Sequence, residues 1–426
     1  MSVDDAQQLE QPLKDGGIRS VNFFNGRLLT SRDLTRVEQA RRESDWRLGL
    51  AVGDGVAVGL DVNRDVDLDR PGTPVVRIGA GLAVNRRGQT LRLAADTSVA
   101  LRRRFESTTS NCLFAQCEPI SGGTYVAGAG VYVLTVAPAE AGEGRAATNG
   151  LDPLDVRCNT DATVEAVQFR LLWVNPLLYA GLDLGSVALR NDLAYRCFGA
   201  DLQASWFAGL IDATPRRAGL LDALRKTTLS DFDVPLALLF IRGIAEIDFI
   251  DAWSVRRPLT RDSASQWTNL VDSQREAVGY AMFMQFQRHV MSLAQPNGSL
   301  GSLTARSHFR YLPPVGVIPV PEEPADSDTQ TRRFFTGMTA RGPAFINAAC
   351  LEDLVRESLH FPPIDTHSPE MLWLYRVREN QRVVDVAGSG LRPRTALVFA
   401  SGHLPYRADA RFDLAYWNYG NYALAR

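Results

Sequence analysis

The sequence lacks the features that mark a disulfide-stapled protein or a membrane protein. Its five cysteines are an odd, scattered set without a C-x-x-C pair, which predicts reduced thiols in a protein made in the cytosol. The longest apolar run, Val234–Ile241, ends at Arg242 and falls far short of the roughly 20 residues that a membrane-spanning helix needs. We therefore expect no membrane insertion.

The sequence also lacks an excess of charge of one sign. The net charge is −2, whereas a general nucleic-acid binder needs a basic face, and the Arg102–Arg104 run is too short to supply one. The first seventeen residues are polar and acidic, without the basic start and apolar core of a secretory signal. These patterns predict cytoplasmic synthesis and no nucleic-acid partner.

Catalytic and metal-binding strings are missing as well. The chain has no P-loop, H-E-x-x-H or G-x-S-x-G string, and its glycines at 53, 55 and 59 follow a predicted helix, not the strand that a dinucleotide fingerprint requires. No two of the five histidines share metal-ligand spacing; they are His289, His308, His360, His367 and His403. We predict no catalytic residue, no metal, no cofactor and no enzymatic activity.

Two groups of carboxylates come closest to a chemical site. The first is an alternating stretch of oxygen-bearing side chains: Asp61, Asn63, Asp65, Asp67 and Asp69. These side chains could be calcium ligands, but a calcium loop needs Gly at its sixth position and Glu at its twelfth, where this sequence has Val66 and Gly72. A solvated acidic loop between two strands explains this stretch better.

The second group is a possible pair of glycosidase acids. Glu246 and Asp248 share one face of a predicted strand, and Asp251 follows just after it. This group supports an alternative function, glycan binding or glycan hydrolysis, in which exposed aromatics stack on sugars.

The most informative stretch lies near the N-terminus. Thr30 and Asp33 have the spacing of a capping box, which predicts a helix from about Ser31 to Leu48 that stops at Gly49. Alternation of apolar residues from Val56 to Val62 then predicts a half-buried strand.

This stretch resembles the start of a group of proteins encoded beside contractile, phage-tail-like injection systems. The shared form is F-F-N-G-x-L-L-T-x-x-D-L, then a charged helix, then G-x-G-V-x-x-G-L-x-V. The matching residues are Phe23, Phe24, Asn25, Gly26, Leu28, Leu29, Thr30, Asp33, Leu34, Glu38, Gln39, Arg41, Arg42, Gly53, Gly55, Val56, Gly59, Leu60 and Val62. Weaker similarity follows at 79–84, 309–314 and 372–380.

The resemblance implies a structural part of a tail or baseplate, with other particle subunits as partners. It also implies assembly inside the cell and release as part of an extracellular particle. It supplies no catalytic residue. From it we expect a non-enzymatic structural or assembly component that forms a homo-oligomer.

Periodicity and linker composition predict a β-rich, multidomain α+β fold. Residues 1–17 are predicted to be a flexible arm and residues 18–104 an N-terminal helix with a small β domain. Residues 130–294 are predicted to be a central mixed β domain with a long helix at 266–293. A proline-rich, acidic, exposed linker at 295–330 then leads to a C-terminal α+β domain at 331–426.

Two aromatic segments are predicted interfaces. Phe23 and Phe24 are neighbours, so an extended chain points them to opposite sides, one into the core and one toward a partner, while Asn25 and Gly26 turn the chain into the helix. The alternative is that both rings only staple the start of the helix.

The second predicted interface is the C-terminal tail. Residues 412–416 alternate as a terminal strand would, which leaves Trp417, Tyr419 and Tyr422 to project from a looser end. The alternative is that these rings complete the core.

Overall fold

The computed structural model describes residues 15–65, 74–101, 127–144, 146, 160–200, 219–243, 246–261, 273–294, 299–320, 324–378 and 395–402. Within them the chain forms a mixed, multidomain α+β fold with several sheets, as the sequence predicted.

The N-terminal part consists of one helix and two small antiparallel sheets. Helix α1 spans Ser31–Val52. Strands β1 (Gly55–Gly59), β4 (Gly81–Val84) and β5 (Thr90–Leu93) form one sheet. Strands β2 (Val62–Asp65), β3 (Val75–Ile78) and β6 (Thr97–Ala100) form the other.

The chain passes from the first sheet to the second at Leu60. This residue is fully buried and has a φ of 56°, a left-handed conformation that is rare for a branched side chain. The prediction of one strand through Val56–Val62 is therefore wrong: the alternation is interrupted by a register shift after Val56 and by the change of sheet at Leu60.

The central part is a sheet in the order β10-β9-β7-β8, antiparallel throughout. Its strands are β7 (Gly130–Glu143), β8 (Ala162–Trp173), β9 (Val234–Ile241) and β10 (Ile247–Asp251). The helices beside it are α2 (Leu189–Phe198), α3 (Leu220–Arg225) and α4 (Ser273–Leu293), with a 3-10 turn at Pro176–Tyr179. The glycine- and alanine-rich sequence at 138–150 predicts a long loop. Strand β7 runs through part of it instead, because every residue from Pro138 to Glu143 pairs with β8.

The C-terminal part is a sheet in the order β12-β16-β15-β13, in which β13 and β15 are parallel. Its strands are β12 (Val315–Ile318), β13 (Thr339–Asn347), β15 (Met371–Arg378) and β16 (Thr395–Ser401), and β11 (Tyr311–Leu312) pairs separately with β14 (Ile364–Asp365). The helices are α5 (Ala305–His308), α6 (Pro324–Phe334) and α7 (Leu351–Ser358), with a 3-10 turn at Ala348–Cys350.

The prediction of an exposed linker at 295–330 is wrong for residues 315–318. They are extended, but β12 hydrogen-bonds to β16 at the sheet edge, and Val315 and Ile318 are buried. The sequence also predicts a helix near residues 344–359 in the C-terminal domain. The helix starts later, because residues up to Asn347 belong to β13.

The hydrophobic core is continuous across the predicted domain boundaries. One cluster joins Leu60 and Ile78 of the N-terminal sheets to Leu134 and Leu236 of the central sheet. Helix α4 contributes Met282 to that cluster and, one turn later, Phe286 to the core of the C-terminal part. The long helix therefore packs against both the central and the C-terminal sheets.

Candidate assembly interface

The segment before α1 places two aromatic rings in solvent. Phe23 is 55% exposed and Phe24 is 64% exposed, so the prediction that one of them enters the core is wrong. The buried residue of this segment is Val21. Neither ring is buried against the start of the helix either.

Local hydrogen bonds hold this segment in place. The Arg27 amide donates to the Phe24 carbonyl at 3.1 Å, which closes a turn over Asn25 and Gly26. Gly26 has a φ of 90°, a conformation that glycine adopts without strain. The Arg27 guanidinium donates to the Asn22 carbonyl at 2.8 Å and lies 6.0 Å from the centre of the Phe24 ring. The predicted turn is confirmed, and it presents both rings from a hydrogen-bonded loop.

The start of α1 has the predicted capping box. The Thr30 hydroxyl accepts from the Asp33 amide at 3.3 Å, and the Asp33 carboxylate accepts from the Thr30 amide at 3.2 Å. The Thr30 hydroxyl also donates to Asp33, and Arg27 forms an ion pair with Asp33 at 2.6 Å. These bonds, from Thr30 first and then Arg27, lower the pKa of Asp33 to about 2.

Two glycines allow the C-terminal half of α1 to pack closely against the turn between β4 and β5. A Cβ built on Gly49 would come 2.0 Å from the Gly88 carbonyl oxygen, and one on Gly88 would come 2.0 Å from the Trp46 carbonyl oxygen. Gly88 also has a φ of 79° in the turn between β4 and β5. The prediction that α1 ends at Gly49 is wrong, because the helix continues to Val52. Gly49 instead allows the helix backbone to approach the backbone of Gly88 closely.

Few further contacts hold α1. Arg42 forms an ion pair with Glu140 at 3.1 Å, and Arg47 donates to the Gly16 carbonyl. A cleft of about 630 Å³ lies beneath this half of the helix, lined by Glu43, Trp46, Arg47, Leu50, Arg86, Arg87, Gln89 and Phe232. Of the 22 residues of α1, only Asp33 and Gly49 are buried.

The carboxylates of the alternative function do not form one open site. Asp251 is 1% exposed and accepts from Arg190 at 2.8 Å, from Gln285 at 2.9 Å and from the Ser254 amide at 3.1 Å. Asp248 lies on the surface of the same strand in an ion pair with Arg242 at 3.0 Å. Glu246 precedes the strand and is exposed. Asp251 ties β10 to α2 and α4, an arrangement typical of a structural ion pair.

The other candidate ligands are dispersed in the same way. His289 is buried 4.8 Å from the Phe309 ring, and burial lowers its pKa to about 3. Asp61 pairs with Arg288 at 2.7 Å and with Arg256 at 3.4 Å. Among the residues that the structure describes, no group of three or more His, Cys, Asp or Glu side chains could hold a metal ion.

Trp417, Tyr419 and Tyr422 lie outside the described residues, so their role as contacts stays a prediction. Sequence reasoning did not identify the exposed apolar residues just before and on α1 as site residues: Leu28, Leu29, Leu34, Val37, Leu48, Leu50 and Val52. The helical spacing of those on α1 is visible in the sequence, but the same spacing is typical of a buried face.

No described helix is long and apolar enough to cross a membrane. Comparisons with models of known protein families and with curated proteins found no match.

Proposed function

We propose that this chain is a non-enzymatic structural component of a contractile, phage-tail-like particle, docked near its baseplate through residues 21–29. The observation that carries the proposal is the exposure of Phe23 and Phe24 on a hydrogen-bonded turn. Aromatic side chains bury much area at low entropic cost, and they anchor many interfaces for that reason. The particle class rests on the resemblance of residues 22–62.

Leu28 and Leu29 add to the exposed apolar side chains of this segment. They are 85% and 57% exposed and follow directly after the aromatic turn. Scattered exposed apolar residues are ordinary on a protein surface, whereas an adjacent group of them indicates an interaction site. A partner that covers both rings and both leucines removes this group from water.

The arrangement of Asp251 argues against glycan hydrolysis through the Glu246–Asp251 group. A catalytic acid has to reach the substrate, whereas the Asp251 carboxylate is enclosed by three donors from the protein. Turnover of a polysaccharide that Asp248→Asn abolishes would support the alternative and contradict the proposal.

Particle assembly tests the proposed function. The proposal expects sheath, tube and baseplate genes beside the gene of this chain, and their absence would contradict it. The chain is co-expressed with those neighbouring genes, and the particles are collected by sedimentation. The double variant Phe23→Ser/Phe24→Ser is expected to fold normally and to be lost from the particles. Leu177→Ser is the control, because Leu177 is 80% exposed on the 3-10 turn at Pro176–Tyr179, outside the segment 21–29. Full retention of the double variant, or absence of wild-type chain from the particles, would contradict the proposal.

A further inference from the structure

Helix α1 has an apolar stripe along its outer face. At ~100° per residue, Leu34, Val37, Leu48 and Val52 fall within an arc of about 60°. All four are exposed, from 38% for Val37 to 66% for Leu48. The stripe therefore has one exposed apolar pair near each end of the helix, with charged residues on the turns between them.

The stripe points away from the body of the protein. The side chains that line the cleft, among them Glu43, Trp46 and Leu50, lie on the opposite side of the same helix. Gly49, whose backbone contacts Gly88, lies on the flank between these two sides, about 60° from Leu34 and Val52 at ~100° per residue. A partner on the stripe therefore approaches from the side away from the cleft and beside the Gly49 contact.

Two opposite charges lie at the middle of the stripe. Arg41 and Asp45 are both exposed, and in the described part of the chain neither takes part in a hydrogen bond or an ion pair. Their neighbours differ, because Arg42 pairs with Glu38 and Glu140 and Gln39 donates to Glu43. The charges on the stripe lack the partners that the charges beside it have.

The order of these six residues is self-complementary when reversed. Position 43 is the midpoint, so an antiparallel copy of the helix places Leu34 opposite Val52 and Val37 within one residue of Leu48. The same alignment sets Arg41 opposite Asp45 and, by the two-fold symmetry, Asp45 opposite Arg41. A parallel pair would instead bring Arg41 against Arg41 and Asp45 against Asp45, which is unfavourable.

We propose that the outer stripe of α1 docks on the outer stripe of a second copy of this chain, as an antiparallel, two-fold helix pair. Four apolar contacts flank two reciprocal Arg41–Asp45 ion pairs at the centre. The surface differs from the Phe23–Phe24 turn, so the inference does not rest on the proposed function.

Charge variants of the full chain test the pairing by sedimentation velocity across a micromolar concentration series. Arg41→Glu makes both central positions acidic, and Asp45→Arg makes both basic. Each variant alone is expected to raise the dimer dissociation constant at least tenfold over the wild type. An equimolar mixture of the two is expected to recover the dimer, because each acidic stripe then faces a basic one.

Arg36→Glu is the matched control, since it makes the same charge change on an exposed residue outside the stripe. It is expected to dimerise as the wild type does, and circular dichroism checks that every variant keeps its helix. A wild-type chain that stays monomeric throughout the series overturns the proposal. So does a mixture that fails to recover the dimer, or a control that weakens it equally. Loss of particle docking in Phe23→Ser/Phe24→Ser with the dimer intact separates the two surfaces.

Discussion

Helix α1 and strand β9 are stabilised in opposite ways. Every residue of β9 is buried between neighbouring strands and two cores, whereas α1 buries only Asp33 and Gly49. Most helices in proteins are stabilised by packing of an apolar face. α1 instead depends on a capping box at one end, a close glycine contact at the other and a few ion pairs between them.

The difference indicates which apolar residues stabilise the fold of this chain and which are available to contact another chain. The apolar residues of β9 are needed for the fold of this chain itself. Those on the outside of α1 and on the turn before it are not, because they stay in solvent. Their grouping on one ordered element is typical of a surface that another chain covers.

The largest expected effect comes from the buried side of this comparison. Asp251→Ala leaves the Arg190 guanidinium, 15% exposed, without its acidic partner; its hydrogen bond to the Ser292 hydroxyl at 3.2 Å remains. Breaking such a buried pair is expected to lower the free energy of unfolding by ~3–5 kcal/mol. Equilibrium denaturation in guanidinium chloride measures this decrease relative to the wild type.

Asp248→Ala is the control for that measurement. It removes an ion pair with Arg242 at the surface of the same strand, which is expected to cost ~0–1 kcal/mol. Equal losses in the two variants would contradict the structural role assigned to Asp251.

A smaller, local effect is expected from Gly49→Ala, at the close contact between α1 and Gly88. Alanine favours a helix over glycine by ~1 kcal/mol, so Gly49→Ala would stabilise an isolated helix. Here its Cβ meets the Gly88 carbonyl oxygen at 2.0 Å, and such overpacking costs ~1–3 kcal/mol. Amide hydrogen exchange should accelerate across residues 40–52 while β9 is unchanged.

Gly128→Ala controls for the loss of glycine itself, because a Cβ added there would have no atom within 4 Å. It is expected to leave exchange in α1 unaltered. If Gly49→Ala slows exchange in α1, the close contact does not hold the helix.

The smallest expected effect is the acid response of the cap. The pKa of Asp33 is lowered from 3.8 to about 2, so its carboxylate contributes fully above pH 3.8 and loses its contribution as the pH falls through about 2. The first turn of α1 should fray in that window, visible as faster exchange of the Asp33 amide. Thr30→Ala removes the main partner and should return the pKa of Asp33 toward 3.8; an unchanged titration would contradict the role assigned to the cap.

The sequence predicted the start of α1 because capping is a local pattern. Thr30 and Asp33 are three residues apart and bond to each other, so no distant residue is needed to place them. The end was predicted wrongly because Gly49 has two explanations in a sequence, helix stop and close contact. Only its distant neighbour Gly88 decides between them.

Long-range features escaped prediction for the same reason. The change of sheet at Leu60 depends on a left-handed backbone that a leucine does not signal. The burial of β12 depends on β16, about eighty residues later in the chain. The exposure of the stripe on α1 could not be predicted either, since its apolar spacing is the one a buried helix shows.

Amide hydrogen exchange of the free chain and of the particle-bound chain tests the central claim most directly. We predict that residues 21–29 gain protection on assembly, while residues 131–137 of β7 and all of β9, already buried, exchange at the same rate in both states. Unchanged exchange at residues 21–29 in a chain that is bound to the particle would contradict the claim that this segment is the docking surface.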